Sequence, residues 1–271
     1  MGIYLDPNGN NSFTSLAGRR AQNLFVDKTA FIAEIVRRLD ADDTKLIALA
    51  LPRRFGKTVT VRMLAAFFSR GADSRSVFEG LAILTPPAPA EGMKQAPEKA
   101  SADTSDLTGG KAWGPAGGYT GDRRIYLEHL NRHHVIFIDM NAVSGFYRGY
   151  LQEGRKRRGV TDLVSFLEFS VIEELRRDPE FGPCIQKSRT GNTGLLQVFT
   201  AISQDLGVRF VFIMDEWDLI YREYRSDPAL QYKFISLLVD LFKSTAGLSC
   251  FSLVYLTGIL PTKKNTIHSQ Y

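Results

Sequence analysis

The sequence predicts an α/β protein of three layers, α/β/α, built around a mostly parallel sheet. Two observations carry that prediction. Four short runs at 45–51, 135–138, 208–214 and 250–256 are dense in apolar, β-branched or aromatic residues and have the length of buried strands. Between them lie stretches with apolar residues at helical spacing, and strands alternating with helices make a parallel sheet covered on both faces. At 271 residues, 44% hydrophobic and 23% charged, the chain has the size and balance of an ordinary globular protein rather than a disordered or fibrous one.

Taken in order, the first helix is expected over 31–39, where Phe31, Ile32, Ile35, Val36 and Leu39 share a face and Asp27 or Thr29 could cap it. The run at 45–51, closed by Pro52, reads as a strand buried on both faces. A helix over 57–69 follows, with Val61, Leu64, Ala65 and Phe68 facing inward. From 85 to 121 Pro, Ala, Gly and Ser crowd the chain with no apolar period, so this stretch reads as a flexible insertion in a single domain spanning 1–271. Order resumes with a helix over 125–131, the second strand ending at Asp139, and a helix from about 162 to 177. A helix over 193–205, the third strand stopping at Asp215, a helix over 228–243, and the fourth strand running into Thr257-Gly258 complete the pattern.

Composition narrows the setting. A formal net charge of +5 is a mild basic bias that favours anionic partners, nucleotide or nucleic acid. The two cysteines, Cys184 and Cys250, have no metal-ligand spacing, and Cys250 lies in an apolar run, as a buried thiol in a reducing cytoplasm would. The N-terminal residues 1–13 are polar and carry no secretory pattern, and no run reaches the 18 or so apolar residues of a membrane helix, so a cytoplasmic protein without a membrane partner is expected.

The chemistry concentrates at Pro52-Arg53-Arg54-Phe55-Gly56-Lys57-Thr58. Phosphate binding needs backbone N–H groups at a helix N-terminus, a lysine for the terminal phosphates and a hydroxyl for magnesium. Gly56, Lys57 and Thr58 supply these directly between a strand and a helix, the pattern of a P-loop. The motif also wants glycine five residues before Gly56, and Leu51 stands there. At the end of the third strand, Asp215 is a candidate to hold Mg2+ and Glu216 to polarise an attacking water. The alternative is that the two acids only begin a solvated loop. Thr257 closes the fourth strand at the carboxyl edge, where ligands of open α/β sheets bind. It is either a sensor of the γ-phosphate or merely the end of a strand. Asp139 is the weaker acidic candidate.

Two other features need weighing. His129 and His133, four apart with His134 adjacent, could share a helix face and bind a metal, but no second ligand cluster follows them. The basic run Arg155-Lys156-Arg157-Arg158 could meet nucleic-acid phosphates, yet between Gly154 and Gly159 it reads more readily as a solvated loop.

An ordered set of strings then points to a family: Phe25-Val26-Asp27-Lys28-Thr29, the 52–58 loop, Val77-Phe78-Glu79-Gly80-Leu81, Asp215-Glu216-Trp217-Asp218 and Leu256-Thr257-Gly258-Ile259-Leu260. The chain resembles the bacterial AAA-ATPase-like proteins. In that family Pro-Arg-Arg-Phe-Gly-Lys-Thr is itself the form of the loop, which answers the missing glycine. The resemblance implies that the loop strand lies beside the fourth strand, the acidic third strand beyond it and the second strand outermost. It also implies that 26–28, Asp27 included, pack near adenine and that Thr257 acts as sensor. Family members commonly continue into a helical lid and a nuclease-like domain with a PD-(D/E)xK core. On that pattern this chain lacks the lid and a fifth strand that would cover the loop strand's outer edge. The 85–121 insertion and Trp217, where the family usually has tyrosine, are departures that leave the phosphate chemistry untouched.

The sequence therefore predicts ATP and Mg2+ as cofactors, with Arg53, Arg54, Lys57 and Thr58 around the phosphates. Three functions fit. The first is a magnesium-dependent ATPase coupled to movement of a partner or nuclease-like domain, with nucleic acid reached through that domain and a homo-oligomer open. The second is a nucleotide-binding switch with little hydrolysis. The third is a small-molecule phosphotransferase.

Overall fold

The computed structural model describes residues 3–4, 13–17, 26–41, 45–71, 73–84, 123–154, 157, 159–187 and 194–260. The expected 85–121 insertion lies outside the described residues, as do Arg155, Lys156 and Arg158 of the basic run. Strands β1 (Ile3–Tyr4), β2 (Leu46–Ala50), β3 (His134–Asp139), β4 (Phe210–Asp215) and β5 (Phe251–Gly258) form one sheet in the order β1-β3-β4-β5-β2. Every pairing in it is parallel.

The alternation of side chains along each strand divides the core in two. Ile136, Ile138, Phe210, Phe212, Met214, Val254 and Leu256 face one side. There they meet α6 (Met140–Gln152), α7 (Leu163–Arg177), α8 (Gly182–Lys187), α9 (Leu195–Leu206), α10 (Leu219–Glu223), α11 (Pro228–Phe242) and α12 (Thr245–Cys250). Val135, Phe137, Val211, Ile213, Leu253 and Tyr255 face the other side. There they meet α1 (Phe13–Ala17), α2 (Phe31–Ala41), α3 (Lys57–Phe68), α4 (Arg75–Phe78) and α5 (Arg123–His129). This is the expected three-layer α/β/α arrangement. Among the described residues no helix is long and apolar enough to cross a membrane.

Several details differ from the sequence expectations. The second of the four foreseen strands, β3, is not outermost, because Ile3 and Tyr4 pair beyond it with Ile136 and Phe137. Two residues are too short to show a period. Strand β2 is not buried on both faces: Ala48 and Ala50 are exposed, and among the described residues the strand pairs on one side only, with β5. Its apolar composition suits an edge that small alanines keep unobtrusive. Cys250 ends α12 rather than opening β5, and it is fully buried there. Asp27 and Thr29 fasten α2 to another segment instead of simply capping it. Asp27 accepts from the Thr29 and Ala82 N–H groups, both at 2.8 Å, and Thr29 Oγ1 accepts from the Ile83 N–H at 3.1 Å.

Helix α3 is fixed to the sheet by Asn131, which stops the α5 segment in a left-handed conformation with φ 55°. Its amide donates to Ala66 O at 3.1 Å and Ser69 O at 3.0 Å, and its oxygen accepts from Ser74 N–H at 3.1 Å. We expect Asn131→Ala to cost about 2–4 kcal/mol in urea unfolding, from three lost hydrogen bonds and an alanine in the left-handed region. Asn131→Gly should recover only the backbone part, about 1 kcal/mol. A loss below about 0.5 kcal/mol for the alanine variant would show that this stitch contributes nothing beyond an average surface contact.

Candidate nucleotide site

The β2 backbone continues past its last paired residue, with Leu51 N–H donating to Gly258 O at 3.1 Å. Leu51 therefore extends the β2–β5 ladder and needs no glycine's freedom. The loop turns later, at Arg54 with φ 69° and at Gly56 with φ 80°, the residue immediately before α3. Gly56 is required by its left-handed backbone; a Cβ there would also meet Lys28 Nζ at 2.9 Å, the tip of a flexible side chain that donates to Phe55 O at 3.0 Å. The first helical bond of α3 runs from Thr60 N–H to Gly56 O at 3.0 Å. The N–H groups of Lys57, Thr58 and Val59 precede it, without a carbonyl one turn back to accept them.

Lys57 is 5% exposed, and its ammonium donates to Leu51 O at 2.8 Å and Pro52 O at 3.0 Å. Both acceptors are neutral, so the hydrogen bonds hold the lysine while leaving its charge available to a phosphate.

Three elements converge on Asp215, which is 1% exposed at the end of β4. Thr58 Oγ1, from the first turn of α3, donates to Asp215 Oδ2 at 2.7 Å. Thr257 Oγ1, fully buried on β5, donates to Oδ1, as does the Glu216 N–H at 3.0 Å. A hydroxyl and a carboxylate in contact at a helix N-terminus are oxygen ligands of the hard type that Mg2+ takes, so Thr58 and Asp215 fit a metal ion as a pair. Asp139 ends β3 in register with Asp215, but its carboxylate caps α6, accepting from Asn141 N–H at 2.9 Å and Ala142 N–H at 3.3 Å. Burial, with a smaller push from Asp215, raises its pKa.

Beyond Asp215 the chain turns sharply, Glu216 having φ 55°. The turn is held against the end of β5: Trp217 N–H donates to Thr257 O at 3.0 Å, and Asp218 Oδ2 accepts from Ile259 N–H at 3.0 Å and Leu260 N–H at 2.8 Å. A Cβ on Gly258 would lie 2.7 Å from the Trp217 indole nitrogen, so the close approach of the two segments depends on glycine. Burial raises the Glu216 pKa, and Arg222 opposes the shift. Arg222 bonds the Glu216 carboxylate through Nη2 and lies 3.3 Å from Asp218 Oδ2 through Nε.

These groups surround a cleft of about 440 Å³. Arg53, Arg54, Lys57 and Thr58 line one side, Glu216 and Arg222 the other. Pro52 and Phe55 belong to the same loop, Phe55 standing 58% exposed. Asp215 and Thr257 are buried and connect to the cleft through Thr58, which lines it and donates to Asp215. Asp27 is turned to the Thr29 and Ala82 amides, its neighbour Lys28 bonds the loop at Phe55 O, and Val26 is 73% exposed. Arg222 is the residue that reading the sequence missed. Its position four residues after Asp218, on one helical turn, was the available signal.

The histidines lie elsewhere, His134 opening β3 at the amino end of the strand, away from Asp139 and Asp215 at the carboxyl ends. His129 Nδ1 and His133 Nε2 are 3.1 Å apart with their rings stacked, and burial lowers the His133 pKa to about 4. Among the described residues no group of three or more metal-ligating side chains comes together.

A family model described as a predicted AAA-ATPase matches residues 7–97, which contain the loop, the whole of α3 and the 26–28 segment. Over these residues the chain is similar to that family. The match stops well before Asp215 and Thr257, so the family's loop and the distant acidic strand are joined by the folded geometry. No curated protein and no solved structure matches the chain.

Removing the Thr257 hydroxyl with its shape kept, as in Thr257→Val, leaves Asp215 buried and one donor short. We expect a loss of about 1.5–3 kcal/mol in denaturant unfolding, the cost of a missing hydrogen bond to a buried charged group. An unchanged midpoint would mean that Asp215 does not depend on this contact.

Proposed function

We propose that the chain binds ATP with Mg2+ and hydrolyses it. The observation that carries this reading is the 2.7 Å contact between Thr58 Oγ1 and Asp215 Oδ2, groups 157 residues apart in sequence, at the N-terminus of the helix that Lys57 opens. A buried carboxylate could be satisfied anywhere. Beside a phosphate-binding loop, a hydroxyl and an acid in contact match the metal-holding pair of P-loop enzymes.

In this reading the N–H groups at the start of α3, with Arg53, Arg54 and Lys57, hold the phosphates, and Gly56 lets the backbone approach them. Thr58 and Asp215 hold Mg2+, which when bound supplies charge neutralisation on the phosphate oxygens. Pro52 and Phe55 shape the loop, and Val26, Asp27 and Phe55 border the adenine. Glu216 orients and polarises the attacking water. Thr257 acts as a sensor, because its bond to Asp215 ties the metal-holding acid to β5. Glu216 is held by Arg222 in this structure, so the water-activating carboxylate is restrained, and phosphate entering the cleft would compete for that arginine. We further propose a single nucleotide-binding domain over 1–271 in a cytoplasmic protein, a setting that the two free, buried cysteines suit. The work done by hydrolysis would be movement of a partner or of an attached nuclease-like domain.

Glu216→Gln tests hydrolysis. It should lower turnover about 100-fold or more, the scale of a lost general base, while ATP affinity changes less than threefold. A non-hydrolysing switch would instead show no turnover to lose in the unsubstituted protein. Because burial raises the Glu216 pKa, the acid limb of the rate profile should lie above the ordinary glutamate range, activity falling as pH drops through it. An acid limb at or below pH 4.5 in the unsubstituted enzyme would count against Glu216 as the group that must be ionised.

A further inference from the structure

A second cleft, separate from the phosphate loop, lies between α6 and α7 and has a volume of about 450 Å³. That size falls in the range of small-molecule sites. Its walls are aromatic, from Phe146 and Tyr150 on α6 and Phe166 and Phe169 on α7. Tyr150 and Phe166 pack at 5.4 Å between ring centroids, and Phe146 is 42% exposed. On the α6 side, Gly145 and Gly149 keep the wall low, since a Cβ on either would meet nothing within 4 Å.

Two observations indicate the chemistry of the occupant. The first is a guanidinium from the chain itself: Arg157 stands over the Phe169 ring at 4.9 Å from the centroid, a cation–π contact. The second is Glu174, a half-buried carboxylate on the cleft wall that receives no hydrogen bond among the described residues. Glu173 beside it is already bonded to Arg176. The lining carries three carboxylates and two guanidinium groups.

We propose that this cleft binds a planar organic cation of the guanidinium or amidinium class, stacked on the Tyr150, Phe166 and Phe169 rings in exchange for the exposed Arg157 guanidinium, with its N–H groups on Glu174. The ring faces attract the delocalised charge, and the carboxylate offers the paired acceptors that such a planar donor fits. An anion would gain from Arg157 and Arg177 but would bind only with Glu174 protonated, so its affinity should fall as pH rises. Burial raises the Glu174 pKa to about 7, Arg177 opposing it, so the carboxylate is only partly ionised at neutral pH. The groups facing it are Glu173 and Arg177 on α7, Glu153 just after α6, and Arg157. A bound cation would draw it into the ionised form, and affinity should rise as pH increases through 7.

Benzamidine is the probe, titrated by saturation-transfer NMR at pH 8 with benzoate as the anionic counterpart. We expect saturable benzamidine binding with a dissociation constant of roughly 0.1–1 mM, appropriate to so small a ligand. Glu174→Gln should weaken it at least tenfold and Phe169→Ala at least threefold. Glu174→Gln should also leave the fold intact, because it removes a carboxylate that burial disfavours when ionised; a circular dichroism melt checks this. Agmatine and a blocked Ala-Arg-Ala peptide then distinguish a free guanidino compound from an arginine side chain, and preferential binding of either supports the site. Benzoate binding in place of benzamidine, benzamidine affinity unchanged in folded Glu174→Gln, or no saturable binding would overturn the proposal.

Discussion

The buried carboxylate of Asp215 is the constraint on which the site depends. An ionised acid away from water needs hydrogen-bond donors, and here they come from Thr58 on α3, Thr257 on β5 and the following backbone amide. Satisfying one side chain therefore fixes the N-terminus of α3 against the carboxyl ends of two central strands. The same contacts join a hydroxyl to an acid beside the 52–58 loop. Stability and the proposed chemistry rest on the same atoms, so a change at Thr58 or Thr257 would disturb both.

A second set of contacts extends this arrangement. Asp218 binds the backbone amides of Ile259 and Leu260, and Arg222 bridges Asp218 to Glu216. The left-handed turn at Glu216, which a glutamate would not adopt unaided, is thus held from both ends. Its consequence is functional in direction: the acid that would activate water is paired with an arginine at the mouth of the cleft. Lys57 is likewise parked on two loop carbonyls. The groups of the site are gathered but held by internal partners that a phosphate could replace.

Much of this was legible in the sequence because the signals were local and strong. Strands β3 and β4 are continuous apolar runs buried from end to end or nearly so, and Gly56-Lys57-Thr58 sits where a strand gives way to a helix. The positions that escaped notice are set by tertiary contacts. Ile3–Tyr4 is too short to carry a pattern and is a strand only because β3 offers an edge. The apolar run of β2 could not reveal that one side of the strand lacks a partner among the described residues. The Asn131 stitch depends on carbonyls more than sixty residues away. Arg222 acquires meaning only when the turn after Asp215 folds back on it. Leu51 looked like a defect in a motif, yet the loop makes its left-handed turns at Arg54 and Gly56 and leaves Leu51 extended.

The most direct test of the account is magnesium-dependent ATP binding by calorimetry on the unsubstituted protein, beside Lys57→Ala. The account predicts binding in the micromolar range that requires Mg2+ and is lost in a Lys57→Ala variant that remains folded. A folded protein that binds no ATP, or binds it equally well without Mg2+ or without Lys57, would contradict the assignment of this cleft as a nucleotide site.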